Sequence, residues 1–311
     1  MLETLFQLFF SIDFLQASIR FSTPLLGASL GEAISERAGL VNVSLEGMML
    51  SGALGATLGV YYTGSPWLGV LCGILAGTLV ALVQGFFSIT LAVNQIVVGI
   101  ALNIASLGAT TFISRSVFGV TESTQVAGLG PVRLPLLGSI PILGDALFNH
   151  SVLVYGTYLL IPVVAFVLTR TEWGLSLRAV GEHPEAADSL GISVARTRYM
   201  AVLACGMLAG LAGCFFSLVQ LNMFVEGMTG GRGFIALAIV IVGKWNPWRL
   251  AVVSLLFGML DAVALRAQAL AIGLPYHLLL ALPYVVTLLV YAGLVGQARP
   301  PAALAQPYIR D

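Results

Sequence analysis

Charge is what this sequence has least of. Only 9% of its 311 residues are Asp, Glu, Lys or Arg, while 58% are hydrophobic; soluble domains carry about 25% charged residues. So little charge cannot cover a water-facing surface, and lipid is the solvent that suits it. Lysine occurs once, as Lys244, and Trp245 follows it. That excludes a phosphate-binding loop, which needs a lysine followed by Ser or Thr. The 14 basic residues are balanced by 14 acidic ones, so no basic face is available for nucleic acid. Cys72, Cys205 and Cys214 lie inside apolar runs without metal-ligand spacing and read as small packing residues. No nucleophile–base pair, His-rich metal spacing or useful pair of carboxylates occurs, so neither catalytic nor metal-binding residues are expected. Met1 to Phe10 lacks basic residues and no cleavage pattern follows, unlike a removed signal peptide.

What is present is a series of long apolar runs, near 14–31, 46–64, 67–91, 95–113, 151–169, 199–219, 233–243, 249–266 and 276–295. A span needs roughly 20 apolar residues. The expectation is an all-α, polytopic transmembrane bundle of about eight or nine spans. The 233–243 run is too short to cross alone and reads as half of a broken helix or a span with protein-buried ends. Two connections are long. The first, 114–150, holds Pro131, Pro135 and Pro141 and little charge; the second, 170–198, is dense in charge. Basic residues gather on the cytoplasmic side, which makes 170–198 a cytoplasmic loop and 114–150 an extracytoplasmic one. Counting outward places Arg37, Arg170, Arg178, Arg196, Arg198, Lys244, Arg249, Arg299 and Arg310 inside. Arg115, Arg133, Arg232 and Arg266 fall outside, and Arg20 lies within the first span. The C-terminus is then inside and, by parity, the N-terminus outside.

Glycines recur four apart at Gly27/Gly31, Gly55/Gly59, Gly69/Gly73/Gly77 and Gly206/Gly210. Such pairs share a helix face and allow close helix approach, through packing inside the chain or a dimer seam. Within 170–198, Pro184 suits a first helical position, and Glu185 and Asp188 favour the positive end of the helix dipole. Gly191 is placed for a left-handed cap, and Ser193 can cap the next helix. The expectation is a helix of two turns on the membrane surface, a handle for a partner protein.

Glu185-Ala186-Ala187 followed by Gly191 resembles the Glu-Ala-Ala…Gly loop by which permeases of ABC transporters dock onto their ATPase. The stretch from Gly31 to Leu50, with Asn94-Gln95-Ile96-Val97, Gly230 to Ala238 and Gly243-Lys244-Trp245-Asn246-Pro247, is similar to permeases of the nucleoside and simple-sugar importer group. The resemblance covers residues 20–295 and is nearest to the shorter of two paired permeases of bacterial nucleoside importers. It implies a type II ABC importer-like fold in the bacterial cytoplasmic membrane, with ATPase coupling through Glu185, Ala186, Ala187, Asp188 and Gly191. The implied partners are an ATPase subunit that binds ATP and Mg, a second and longer permease, and a substrate-binding lipoprotein. The chain itself would hold no cofactor.

Asn42, Glu46, Asn94, Gln95, Asn103, Gln220, Asn222 and Glu226 lie within or at the ends of apolar runs. Polar groups at that depth normally face protein or a water-filled path, so these eight are the candidate translocation path for a small neutral solute, a nucleoside or a sugar such as ribose. For each, helix–helix bonding is the competing role, and for Glu46 a pair with Arg37. Glu46-Gly47-Met48 recurs as Glu226-Gly227-Met228, 180 residues later, and internal repeats in transporters often put matching breaks beside the path. Glu32, Glu36 and Arg37 are expected in a short inward turn, bracing a gate or an ATPase contact, or simply solvated. The competing class is a self-sufficient secondary transporter, for which Glu46, Glu226 and Asp261 are the acidic relay candidates.

Overall fold

The computed structural model describes residues 12–119, 124–133, 147–269, Val285 and 299–309. Its helices are α1 (Ile12–Arg37), α2 (Leu45–Thr63), α3 (Pro66–Gly85), α4 (Gln95–Phe118), α5 (Val152–Arg170), α6 (Glu172–Glu182), α7 (Pro184–Ser189), α8 (Val194–Phe215), α9 (Arg232–Gly243) and α10 (Pro247–Ala269). Single π-helical turns, Phe86–Thr90 and Phe216–Gln220, extend α3 and α8. Counting those extensions, five helices among the described residues are long and apolar enough to cross a membrane: α3, α4, α5, α8 and α10; α9 is apolar but shorter. The chain is thus mostly helical and membrane-spanning. Apart from Val285, the 276–295 run lies outside the described residues.

The fold departs from the sequence reading in three places. The first helix does not stop at 31 but continues through Glu32 and Glu36 to Arg37. The two glutamates are not in an inward turn: they are 0% and 3% exposed, because their four-residue spacing puts both on one buried helix face. Left-handed Gly39 then turns the chain. Glu46 pairs with backbone and a threonine at the start of α9 instead of Arg37. Strand is also present: β1 (Pro131–Arg133) and β2 (Asn149–Ser151) pair antiparallel with Val132 opposite His150.

The glycine spacing is used inside the chain. A Cβ on Gly52 would lie 2.6 Å from the Gly210 carbonyl oxygen, one on Gly73 2.6 Å from the Gly52 oxygen, and one on Gly77 2.6 Å from Gly210 Cα. The backbones of α2, α3 and α8 therefore meet directly, as close-packed membrane helices do. α1 joins them through Gly31, whose Cβ would lie 3.0 Å from the Cys205 oxygen. Gly69 faces Leu218 while Gly85 faces Val202 and Tyr199, so α3 and α8 run antiparallel and their π turns sit at opposite ends. The two turns match in detail. Leu91 N–H donates to the Phe86 oxygen and Leu221 N–H to the Phe216 oxygen, both at 3.1 Å. The next residues, Ala92 and Asn222, are both left-handed, at φ 51° and 55°.

One end of the bundle gathers the 38–44 turn, α6, α7, the foot of α8, the Lys244–Trp245 turn and the 299–309 segment. Arg198 Nε donates to the Ala38 oxygen at 3.3 Å, Ala303 N–H donates to the Gly181 oxygen at 2.9 Å, and Trp245 Nε1 donates to Glu36. A methyl on Gly213 would collide with the Met49 carbonyl oxygen on α2, whereas one on Gly108 would meet nothing. Gly213→Ala is expected to cost about 1–3 kcal/mol through overpacking, with Gly108→Ala neutral or slightly stabilising. Thermal unfolding of the two variants in detergent, followed by size-exclusion chromatography, checks the contrast.

Candidate functional site

The 12 residues of α9 reach only about 18 Å at 1.5 Å per residue, short of the roughly 30 Å hydrocarbon core. Its start therefore lies inside the protein, after the 221–231 connection. A helix start has unpaired N–H groups, and burying them without partners is costly. Glu46, in the first turn of α2, takes this role. Its carboxyl accepts from Gly231 N–H at 2.8 Å, Gly233 N–H at 2.7 Å and the Thr229 hydroxyl at 2.6 Å. Acceptor and helix dipole reinforce one another there. Gly233 must be glycine because a Cβ would strike the Glu46 backbone nitrogen, and Gly231, at φ 82°, adopts a left-handed N-cap conformation.

Asn103, in the middle of α4, faces the same junction. Its carbonyl accepts from Gly47 N–H at 2.8 Å and its amide donates to the Val43 oxygen at 2.8 Å. Each amide end has one further hydrogen-bonding position. Glu46, Gly47, Leu50, Asn103, Gly227 and Phe234 help to line a cavity of about 310 Å³, within the range of small-molecule sites. Phe234 is 46% exposed. The recurring tripeptides both reach this cavity, through Glu46 and Gly47 from one and Gly227 from the other.

The remaining candidates are dispersed. Asn42 is fully buried: its amide approaches Met48 and Cys205 sulfur at 3.5 and 3.4 Å and its carbonyl accepts from Ser44 at 2.7 Å. It fixes the 38–44 turn. Asn94 caps α4, accepting from Ile96 and Val97 N–H at 3.0 and 3.2 Å. Gln95, 2% exposed, accepts from Val41 N–H at 2.9 Å, while its own amide nitrogen has no partner among the described residues. Gln220 ends the second π turn, and its side-chain oxygen also lacks a partner among the described residues. Asn222 accepts from Val126 N–H at 2.8 Å through its backbone oxygen and lines a separate cavity of about 370 Å³ with Arg20 and His150. Glu226 meets the Arg115 guanidinium in a two-pronged pair at 2.7 and 2.8 Å, and that hydrogen bonding holds its carboxyl below the ordinary range.

Sequence reasoning missed Thr229, Phe234 and Trp245. The run Gly227, Gly230, Gly231, Gly233 was the available signal for a broken helix start. Trp245 lies in a stretch that carries the resemblance, but nothing local points to its bond with Glu36, 209 residues distant.

Residues 14–291 match the family of permease components of the branched-chain amino acid transport system type. The chain belongs to this family. The guanosine ABC transporter permease protein NupQ of Bacillus subtilis is 35% identical over 307 residues, covering 94% of this chain and 95% of that one. The nucleoside ABC transporter permease protein NupC of Lactococcus lactis is 36% identical over 300 residues, with the same coverage. A putative glucose ABC transporter permease of Haloferax volcanii is 42% identical over 269 residues, 85% of this chain and 80% of its own. No solved structure matches.

The permease is accordingly a multi-pass protein of the cytoplasmic membrane and a transport subunit rather than an enzyme. Its 170–198 loop folds as α6 and α7. Thr171 caps α6, accepting from Gly174 N–H at 3.1 Å. α7 runs from Pro184 to Ser189 and is followed by left-handed Gly191 at φ 86°. Ser193 caps α8, accepting from Arg196 N–H at 3.4 Å. Ala187 is buried at 2%, while Glu185 and Ala186 are exposed and Leu190 is 82% exposed. Asp188 accepts from the Tyr308 hydroxyl at 3.2 Å.

The central junction gives a graded expectation. Glu46→Leu removes the acceptor for three donors and is expected to cost at least about 2 kcal/mol; Thr229→Val removes one donor and costs about 1 kcal/mol. Thermal unfolding of the purified permease variants in detergent measures the order.

Proposed function

We propose that the permease forms, together with a second and longer permease, the path by which a nucleoside enters the cell. A separate ATPase, binding ATP and Mg, drives it, and a lipoprotein delivers the solute. Similarity to two nucleoside permeases across 94% of the chain carries this reading. The cavity beside Glu46 and Asn103 agrees with it chemically. Asn103 offers an amide with hydrogen-bonding capacity left, and Phe234 offers a ring face on which a base can stack. Of the eight path candidates, Glu46 and Asn103 line this cavity; the other six serve at its margins or elsewhere in the fold.

The layout we infer has eight or nine spans, with α1, α2 and the 276–295 run added to the five long apolar helices and α9 as a partial crossing, in a type II importer-like arrangement. The 114–150 connection is then extracytoplasmic. The 170–198 loop is cytoplasmic and couples to the ATPase through Glu185, Ala186, Ala187, Asp188 and Gly191, with Leu190 exposed beside them. A self-sufficient, ion-coupled transporter would need a free acidic relay in the membrane. Of the three relay candidates read from the sequence, Glu46 is committed to α9, Glu226 to Arg115, and Asp261 lies 3.5 Å from Arg232; the buried Glu32 and Glu36 accept from Asn42, Cys205 and Trp245. A sugar is the second reading, favoured by the 42% identity to the putative glucose permease.

The experiment is uptake of labelled guanosine, adenosine and ribose by proteoliposomes holding the full complex with internal ATP. Nucleoside uptake that requires ATP supports the reading; ribose uptake without nucleoside uptake replaces it with the sugar reading. Phe234→Ala and Asn103→Leu are each expected to lower nucleoside uptake about tenfold, the equivalent of one good contact, at unchanged membrane abundance. Unchanged uptake in both would remove this cavity from the path.

A further inference from the structure

The family match ends at residue 291, short of the segment 299–309. That segment lies against four separate pieces of the chain. Ala303 N–H donates to the Gly181 oxygen of α6 at 2.9 Å, and Ala305 N–H donates to the Gly39 oxygen of the 38–44 turn at 3.1 Å. The Gln306 oxygen accepts from Arg198 Nη1, at the foot of α8, at 3.1 Å. The Tyr308 hydroxyl reaches Asp188 of α7 at 3.2 Å, and its ring packs with the cluster of Val180, Ala187 and Val194.

The fit is built rather than incidental. Ala303 is 5% exposed and Arg198 1% exposed. A Cβ on Gly39 would stand 3.0 Å from the Ala303 oxygen and 3.1 Å from Arg198 Nη2, so the turn leaves room for the tail and the guanidinium together. Arg198 also donates to Ala38, which makes one buried cation the bond between the tail, the 38–44 turn and α8. The same turn holds Asn42 N–H on Glu32 at 2.8 Å and leads within two residues into α2, where Glu46 caps α9.

We propose that residues 301–308 are a positioning strap that makes α7 and the 38–44 turn move as one body. Displacement of α7 then reaches the start of α2 and, through Glu46, the central cavity. Tyr308 grips α7, and Arg198 and Ala305 grip the turn. The strap rests on the reading of α7 as the ATPase-coupling element. Without it, α7 stays joined to the bundle through α6 and α8, but its link to the 38–44 turn is loosened. ATP would still be hydrolysed, with less solute moved for each one.

The test compares the full complex, reconstituted in proteoliposomes, with three variants: a chain ending at Pro300, Tyr308→Phe, and Leu190→Arg on the exposed face of α7. ATPase retained on the permease, ATP hydrolysed, and guanosine delivered per ATP are measured for each. The shortened chain is expected to retain the ATPase and its hydrolysis, while guanosine per ATP falls about three- to tenfold, the scale on which positioning residues alter coupling between sites. Tyr308→Phe keeps the ring packing and is expected to fall between the shortened and intact chains. An intact ratio in the shortened chain overturns the strap. Should that chain fail to accumulate, an unchanged ratio in Tyr308→Phe overturns it instead. Leu190→Arg reports on the underlying reading alone: it should release the ATPase, and retention with normal transport would reject α7 as the coupling element whatever the tail does.

Discussion

The N-terminus of α9 begins part-way through the bundle, and the rest of the architecture follows from how its amides are paired. Backbone N–H groups left unpaired in a lipid-like interior cost several kcal/mol each, so a helix can begin there only if another element supplies acceptors. Glu46 supplies them for Gly231, Gly233 and the Thr229 hydroxyl. That requires the first turn of α2 to lie at the same depth, and hence the 38–44 segment to fold back into the bundle after α1. Glu32, Asn42, Ser44 and Cys205 form the buried polar set that holds it there. Asn103 closes the arrangement from α4 by binding both Val43 and Gly47.

Much of the architecture was legible in the residues. Apolar run length located α2 to α5, α8 and α10 within a few residues, because lipid forces each crossing to satisfy its own backbone. The short run at 233–243 also announced an incomplete crossing, and α9 occupies 232–243. Pro184 and Gly191 bracketed α7 because their backbone preferences are local. Legibility failed where a side chain's role depends on a distant partner. Charge alone suggested that Glu32 and Glu36 sit in a turn, yet both are buried on α1, and Glu36 is bonded by Trp245 from the other end of the sequence. The same holds for Glu46. Its suggested partner Arg37 was nearby in the chain, while its actual donors lie 183 to 187 residues away.

Polarity in an apolar run proved to be several different things. Asn94 is a helix cap, Asn42 a buried fastener and Gln95 an acceptor for the folded-back turn; only Glu46 and Asn103 border the central cavity. A sequence window cannot separate these cases, since all satisfy the same demand that a buried amide or carboxyl find a partner. Phe234 was invisible for the opposite reason. An aromatic in an apolar run looks like lipid-facing or core surface until the loop before it is known to break.

The paired π turns explain why the two halves end up joined at one point. After α3 and after α8 the chain widens into a π turn of five residues, closes with a leucine amide and passes through one left-handed residue, so each half faces the same problem of starting a new helix. The first half solves it locally, because Asn94 has a side chain to cap α4. The second half cannot, because its N-cap, Gly231, has none. Gly233, two residues on, lets α9 approach Glu46 closely, and the cap comes from α2. The helix start beside the cavity is therefore held by a residue that sits only two positions beyond the 38–44 turn. Anything that shifts the turn must shift Glu46, and a shift of Glu46 either carries α9 with it or exposes three unpaired donors. Because the second alternative is so costly in the membrane interior, the turn, the start of α2 and the start of α9 constitute one mechanical unit.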